Sequence, residues 1–243
     1  MLTSSQRATR QIASTLTAVG LVTLTVAGCG GSDQSKPSSS SAAQAPSSSG
    51  ATAAAPASKY DISKVDNVKD AMPAGFKPDP RPEITLNQGD IDNPKIIPFT
   101  KAKFDPPQCR ALVLPPYIEP AVGTRAAGLS AEGDQGEIFV VAMNLPKPIP
   151  ATPLPAGCNH VGLSGSPEAT GTAESIPAPP IDGVTTTGVK LTPSDDNAPA
   201  EYIFTAEIGD QTSIAVMGGT VDELNPQQVL SDLLVKATAA VRG

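Results

Sequence analysis

The stretch EYIFTAEIGDQTSIAVM, residues 201–217, decides the fold. Two runs rich in β-branched and aromatic residues flank Gly209-Asp210, and a two-residue connection with glycine first is typical of a tight β-hairpin. Such a turn places Ile208 opposite Gln211, which gives the hairpin one apolar face. On that register the second face is half apolar and could line a groove or lie under a helix, with Ile203, Ile214 and Val216 beside Thr205 and Glu207.

A final helix follows the hairpin. Asn225-Pro226 is a typical helix start, because proline fits the first helical position, and Gly243 follows the last turn. Apolar residues between these ends recur at helical spacing, which predicts one apolar side that lies across the sheet. They are Val229, Leu230, Leu233, Leu234, Ala237 and Val241.

The run EIFVVAMNL, residues 137–145, is apolar at nearly every position and predicts a central strand covered on both faces. Shorter strands are predicted at residues 84–86, 158–163 and 184–191. Asp61 is expected to cap a helix carrying Ile62, Val65 and Val68, and Asp105-Pro106 to start another with Cys109 on its inner side. The sequence therefore predicts an α+β domain with a mostly antiparallel sheet, a C-terminal helix packed across it and one disulfide.

The first 28 residues have the pattern of a secretory signal peptide. Arg7 and Arg10 precede an uncharged, apolar stretch that ends in small residues at Val26-Ala27-Gly28, directly before Cys29. The stretch is rich in Thr, Ser and Gly, which suits a transmembrane helix poorly. A cysteine at this place resembles the lipobox of bacterial lipoproteins, whose cysteine receives a diacylglycerol. The resemblance implies a mature chain that starts at Cys29 and is held on the outer face of the cell membrane.

Composition divides the rest of the chain into two parts. Residues 29–59 comprise Cys29 and a segment made mostly of Ser, Ala, Gly, Pro and Gln, which cannot bury enough apolar surface to fold and is expected to form a disordered tether. Residues 60–243 have the length of a single domain. Removal of residues 1–28 takes away Arg7 and Arg10, so the formal net charge changes from −7 to −9. An acidic chain without a basic cluster argues against nucleic-acid binding.

Three cysteines constrain the pairing. If Cys29 carries lipid, Cys109 and Cys158 remain and allow one disulfide, which an oxidising compartment favours. Two free buried thiols are the alternative. A zinc site is less consistent with the sequence, because two cysteines and the single histidine, His160, leave a tetrahedral shell incomplete. We therefore predict no metal and no cofactor.

No catalytic motif emerges from the sequence. The stretch 162–166, GLSGS, lacks the Gly-x-Ser-x-Gly pattern of hydrolases, and no nucleophile or orienting residue is evident for His160. The acidic loops at 90–93 and 195–197 lack the register of a calcium loop. The leading interpretation is a non-enzymatic domain that binds an unidentified envelope ligand or protein. A carrier of lipid or another apolar ligand, and an enzyme with an unrecognised site, are the two alternatives.

The lipobox, the Ser/Ala tether, Cys109 and the ending LLVKA (233–237) to Arg242 resemble mycobacterial cell-envelope lipoproteins of uncharacterised function. The layout is more remotely similar to the extracellular sensor domain of a mycobacterial serine/threonine kinase, an α/β sandwich with disulfides. This resemblance implies an extracytoplasmic, membrane-anchored domain. One candidate disulfide and the lack of a kinase segment separate this chain from the sensor.

The lipid anchor can be tested at one residue. Replacing Cys29 with Ser is expected to move the protein from the detergent phase to the aqueous phase of a cell extract, because the acyl chains would no longer be attached. Phase partitioning followed by immunoblotting measures this directly. If the Cys29→Ser protein stays in the detergent phase as the wild type does, Cys29 is not the anchor.

Overall fold

The computed structural model describes residues 59–93, 99, 102–148, 153–165, 170–195, 198–220 and 224–243, and Cys29 lies outside them. These residues fall within one compact unit, Thr52–Gly243. Their strands form a single antiparallel sheet in the order β1-β3-β4-β9-β8-β7-β6-β5-β2. The strands are β1 (Lys77–Thr85), β2 (Lys103–Asp105), β3 (Arg125–Gly133), β4 (Gly136–Asn144), β5 (His160–Ser164), β6 (Gly171–Ile176), β7 (Thr185–Pro193), β8 (Glu201–Ile208) and β9 (Thr212–Thr220).

Helical segments flank the sheet. The 3₁₀ helices are η1 (Ile62–Ala71), η2 (Pro107–Cys109) and η3 (Pro116–Ile118), and the α-helices are α1 (Gln88–Ile91), α2 (Arg110–Val113) and α3 (Pro226–Arg242). None of the helices in the described ranges has the length and apolarity needed to span a membrane. The predicted mostly antiparallel sheet with a C-terminal helix packed on it is confirmed.

The larger core lies between the sheet and the two longest helical segments, α3 and η1. Alternation along the strands directs Ile138, Val140 and Ala142 of β4 toward these helices, together with Phe204 of β8. From α3, the fully buried residues include the predicted Leu230, Leu233, Leu234, Ala237 and Val241. We call this side of the sheet the helix face.

The opposite side of the sheet, which we call the groove face, is covered only in part. A second core lies at the β5–β7 end, where Val161, Ala173 and Val189 pack against residues of η2 and α2. The disulfide joins Cys109 of η2 to Cys158, just before β5, with the Cα atoms 5.1 Å apart. This separation lies within the usual range for a disulfide. The predicted Cys109–Cys158 bridge is therefore present.

The hairpin of β8 and β9 forms as predicted, but its predicted register is wrong by one residue. Ile208 pairs with Thr212, because the turn contains Gln211 as a third residue. Gln211 forms two hydrogen bonds with Leu145, which directly follows β4. The Gln211 carbonyl oxygen accepts one from the Leu145 amide at 2.8 Å, and the Gln211 side-chain amide donates the other to the Leu145 carbonyl oxygen at 3.2 Å. These bonds hold Gln211 in the turn. Consequently Ile214 and Val216 lie on the helix face, whereas Ile203 lies on the groove face.

The other helices and strands agree with the sequence-based predictions to different degrees. Asp61 caps η1 as expected, accepting hydrogen bonds from the Ser63 amide and hydroxyl, although the segment is 3₁₀ rather than α-helical. The helical stretch after Asp105 begins at Pro107, because Asp105 itself ends β2. The sequence does not predict the strands β2, β3 and β6. β3 contains Gly128 among small residues, and β6 lies in a stretch that the sequence assigns to a loop.

Both edges of the sheet are poorly suited to pairing with another strand. β1, the edge next to β3, contains Pro78, Pro80 and Pro82 and is exposed at every position. Its register to β3 shifts between Arg81 and Ile84, which interrupts the regular ladder. β2, at the opposite edge, is three residues long.

Leu233 tests the placement of the core on the helix face. Leu233→Ala removes a side chain that is 1% exposed, so we expect a loss of about 2–5 kcal/mol in the free energy of unfolding. Val235→Ala is the control, because Val235 lies on the outer side of the same helix and is 40% exposed. Urea titration of both variants gives the comparison. Similar stabilities for the two variants would show that the helix packs on the sheet through another face.

Candidate functional site: an apolar groove on the sheet

The floor of a groove is formed by side chains that stand in rows across four strands of the groove face. In one row, Ser130 lies opposite Phe139, Phe139 opposite Met217, and Met217 opposite Ile203. Because cross-strand pairs share a face, these four residues form one continuous surface. Phe139 and Met217 are only half-buried, so the surface is accessible.

The next row of the floor is built from smaller residues, which deepens the groove. Gly128 lies opposite Val141, and Val141 lies opposite Ala215. A Cβ atom at Gly128 would collide with the carbonyl oxygen of Val140, so the backbone leaves no room for a side chain there. The floor therefore drops beside Val141.

Two walls enclose this floor. One is the end of β1, where Ile84 is 49% exposed and Leu86 is buried. The other is formed by residues 109–120, which we call the strap, through Val113, Leu114 and Ile118. The resulting open cavity has a volume of about 620 Å³, and its described lining is apolar except for Ser130 and Arg81. Pockets for small ligands commonly measure about 300–1,000 Å³ and are lined mainly by apolar groups.

The strap is fixed at three points. The Cys109–Cys158 disulfide holds its start. The Arg110 guanidinium donates two hydrogen bonds to the Glu119 carboxylate, at 3.0 and 2.9 Å, which ties its two ends together. A wall that is held in this way keeps the groove open when no ligand is bound.

The third point is the hydroxyl of Tyr117. It hydrogen-bonds Thr205 Oγ1 at 2.9 Å and Thr187 Oγ1 at 3.3 Å, and these two threonine hydroxyls are 2.6 Å apart. Burial raises the pKa of Tyr117 above its usual value, although both hydrogen bonds act to lower it. The phenol stays neutral and anchors the strap to β7 and β8.

A second cavity, of about 430 Å³, lies on the other side of the strap. Its lining is mixed, because Thr185, Thr187 and Glu207 contribute polar groups beside Leu154 and Ala111. Burial raises the pKa of the Glu207 carboxyl.

A third cavity, of about 550 Å³, adjoins the apolar groove and shares Phe139 and Met217 with it. The charged residues of its described lining are all acidic: Glu132, Glu137 and Glu201, which we call the acidic row, together with Asp134. The groove thus passes from an apolar floor to a carboxylate-rich end along the same strands.

The candidate residues predicted from the sequence lie in different parts of the structure. Cys109 and Cys158 are joined beside the strap. His160 is exposed on β5 opposite Glu174 and lines none of the three cavities. Within the described ranges, no three His, Cys, Asp or Glu side chains are grouped so that they could hold a metal ion. Of the hairpin residues, Ile203 lines the groove, but Ile214 and Val216 belong to the core of the helix face.

Sequence reasoning missed most of the groove. The alternation in residues 137–145 contained the signal, since Phe139, Val141 and Met143 share one face of β4. The continuous apolar run in these residues predicts a strand that is covered on both faces. The structure shows that one of those sides is an open cavity.

Comparison with known proteins agrees with the fold. Residues 61–242 match the family described as Domain of unknown function (DUF5642). No curated protein matches the chain. An uncharacterized protein from Mycobacterium smegmatis, the Rv0999 ortholog, is 22% identical, with 76% of this chain and 98% of that chain covered and a TM-score of 0.57. The predicted likeness to a mycobacterial protein is confirmed at the level of fold.

The extracellular domain of PknH from Mycobacterium tuberculosis is also similar, more distantly. It shares 10% identity, with 74% of this chain and 92% of that chain covered and a TM-score of 0.35. A TM-score of this size carries no conclusion about function. Because the family match spans most of the sequence, this chain belongs to the DUF5642 family of domains of unknown function.

Proposed function

We propose that this chain is a lipid-anchored, extracytoplasmic and non-enzymatic binding protein whose groove holds the aliphatic chain of an amphiphilic ligand. The observation that carries the proposal is the open cavity of about 620 Å³ on the groove face, with its apolar lining from β1, β3, β4, β8, β9 and the strap. Exposed apolar surface of this kind typically marks a site of interaction.

The shape and chemistry of the groove favour a chain-like ligand. Its floor offers aliphatic and aromatic contacts with one buried hydroxyl, that of Ser130, so little on it would have to be desolvated without compensation. Each methylene group buried contributes about 0.8 kcal/mol. Lengthening a bound chain by two methylenes is therefore expected to raise its affinity about tenfold until the groove is full.

The anchor predicted at Cys29 would place the binding site near the surface of the membrane. A tether of about 30 residues has a root-mean-square span on the order of 30 Å. The domain would then stay within reach of the bilayer surface, where amphiphiles are concentrated. The sequence pattern at residues 1–59 supports this part of the proposal.

A matched pair of substitutions tests which cavity binds. Ala126 lines the apolar groove and Ala111 lines the second cavity, and both are half-buried. Ala126→Phe is expected to weaken binding of a fluorescent 16-carbon fatty acid at least about tenfold, because the ring occupies the space of several methylenes. Ala111→Phe is expected to change the affinity less than about twofold.

Fluorescence titration of the Cys29→Ser protein, with and without these substitutions, provides the measurement. Melting temperatures of the variants establish that each is folded. Equal affinities in the two variants, or a loss in Ala111→Phe alone, would place the ligand elsewhere. Saturable binding of fatty acids that does not depend on chain length would contradict the burial of an aliphatic chain in the groove.

His160 gives a separate test of the non-enzymatic proposal. Its side chain is exposed and lies outside the three cavities, so His160→Ala is expected to leave both the melting temperature and fatty-acid binding unchanged. Complementation of a gene deletion by the variant extends the test to cells. A stably folded His160→Ala protein that fails to complement would argue for an enzyme and against the proposal.

A further inference from the structure

The acidic row lies at the end of the apolar groove, on the same face of the sheet. Glu132 of β3 is directly opposite Glu137 of β4, and Gly219 of β9 lies between Glu137 and Glu201 of β8. The preceding row along the groove contains Phe139 and Met217. A ligand lying along β4 would therefore reach the carboxylates with one end while the rest of it contacts the groove floor.

Gly219 leaves space between two of these carboxylates. A Cβ atom at this position would lie 3.5 Å from Cγ of Glu201 and 3.6 Å from Cγ of Pro199. With glycine there, no side chain separates Glu137 from Glu201 on the face of the sheet. The cavity of about 550 Å³ opens over this gap.

Few positively charged side chains lie near the acidic row in the described part of the chain. No lysine or arginine is part of the described lining of the acidic cavity, and none of the ion pairs among the described residues involves a member of the row. Lys77 is opposite Glu132 on the exposed edge strand, and Arg81 pairs with Asp79 at 2.6 Å. Glu137 and Glu201 are thus left without a described cationic partner.

These carboxylates are costly to keep charged. Removal from solvent raises the pKa of Glu201, and the nearby charge of Glu137 raises it further. The pKa of Glu137 is raised in the same way, first by partial burial and then by Glu132. A positive group placed among them would offset the repulsion and favour the charged form of both carboxylates.

We infer that the ligand of the groove is an amphiphile with a cationic head group, whose aliphatic chain lies over Phe139, Val141 and Ala215 and whose head lies between Glu137 and Glu201. This inference rests on the proposed function, because it assigns the polar end of the same ligand. Its support is the charge complementarity between a cation and the acidic end of a groove whose described lining is otherwise apolar except for Ser130 and Arg81.

The experiment compares three amphiphiles that share a 12-carbon chain and differ in the head group. They are dodecylammonium, dodecyl maltoside and dodecanoate, each titrated below its micelle concentration into the Cys29→Ser protein by calorimetry. Dodecylammonium is expected to bind at least about tenfold more tightly than dodecanoate, a difference of about 1.4 kcal/mol. The advantage is expected to shrink as the salt concentration increases.

A double variant links this advantage to the acidic row. Glu137→Gln with Glu201→Gln is expected to reduce the preference for dodecylammonium to less than about threefold, while the affinity for dodecyl maltoside stays the same. The control, Glu174→Gln with Asp210→Asn, removes two charges from exposed positions outside the three cavities and is expected to keep the preference. Melting temperatures confirm that both variants are folded.

The outcomes distinguish the two proposals. Equal affinities for the three amphiphiles, or tightest binding of the maltoside, would overturn the cationic head group and leave the apolar groove intact. A preference for dodecylammonium that survives in the Glu137→Gln/Glu201→Gln variant would also overturn it. If none of the three binds and the 16-carbon fatty acid also fails, the proposed function itself is wrong.

Discussion

Strand β4 is apolar on both faces, and the rest of the domain is arranged around that constraint. Side chains alternate along a strand, so Ile138, Val140 and Ala142 need one cover and Phe139, Val141 and Met143 need another. The long amphipathic helix α3 and the 3₁₀ helix η1 satisfy the first need completely. The residues of the second set are covered only in part, and their uncovered surface forms the floor of the groove.

The incomplete cover is a property of the strap. Pro115 and Pro116 break it into two short helical turns, α2 and η3, and the strap forms a wall over β7–β9 that leaves β3 and β4 open. The disulfide, the Arg110–Glu119 pair and the Tyr117 hydroxyl hold the wall in place. A groove bounded by a loop therefore acquires the rigidity that a binding site needs if little binding energy is to be lost in ordering it.

Local patterns in the sequence were sufficient for the fold class but not for the site. The helix from Pro226 and the hairpin after Glu201 were predictable because their apolar spacing and turn residues lie within a short window. The hairpin register was not, because Gln211 is held in the turn by Leu145, far away in the sequence. The same applies to the acidic row, whose members come from three strands and meet only through pairing. Lipid attachment at Cys29 stays a prediction.

The prolines of β1 disfavour edge-to-edge association between copies of this protein when they are crowded together. Proline has no amide hydrogen to donate, so β1, with Pro78, Pro80 and Pro82 among its residues, is a poor partner for a further strand. The edge formed by β1 is therefore poorly suited to the addition of a second sheet. Resistance to edge-to-edge growth would let neighbouring copies collide repeatedly without joining into fibrils.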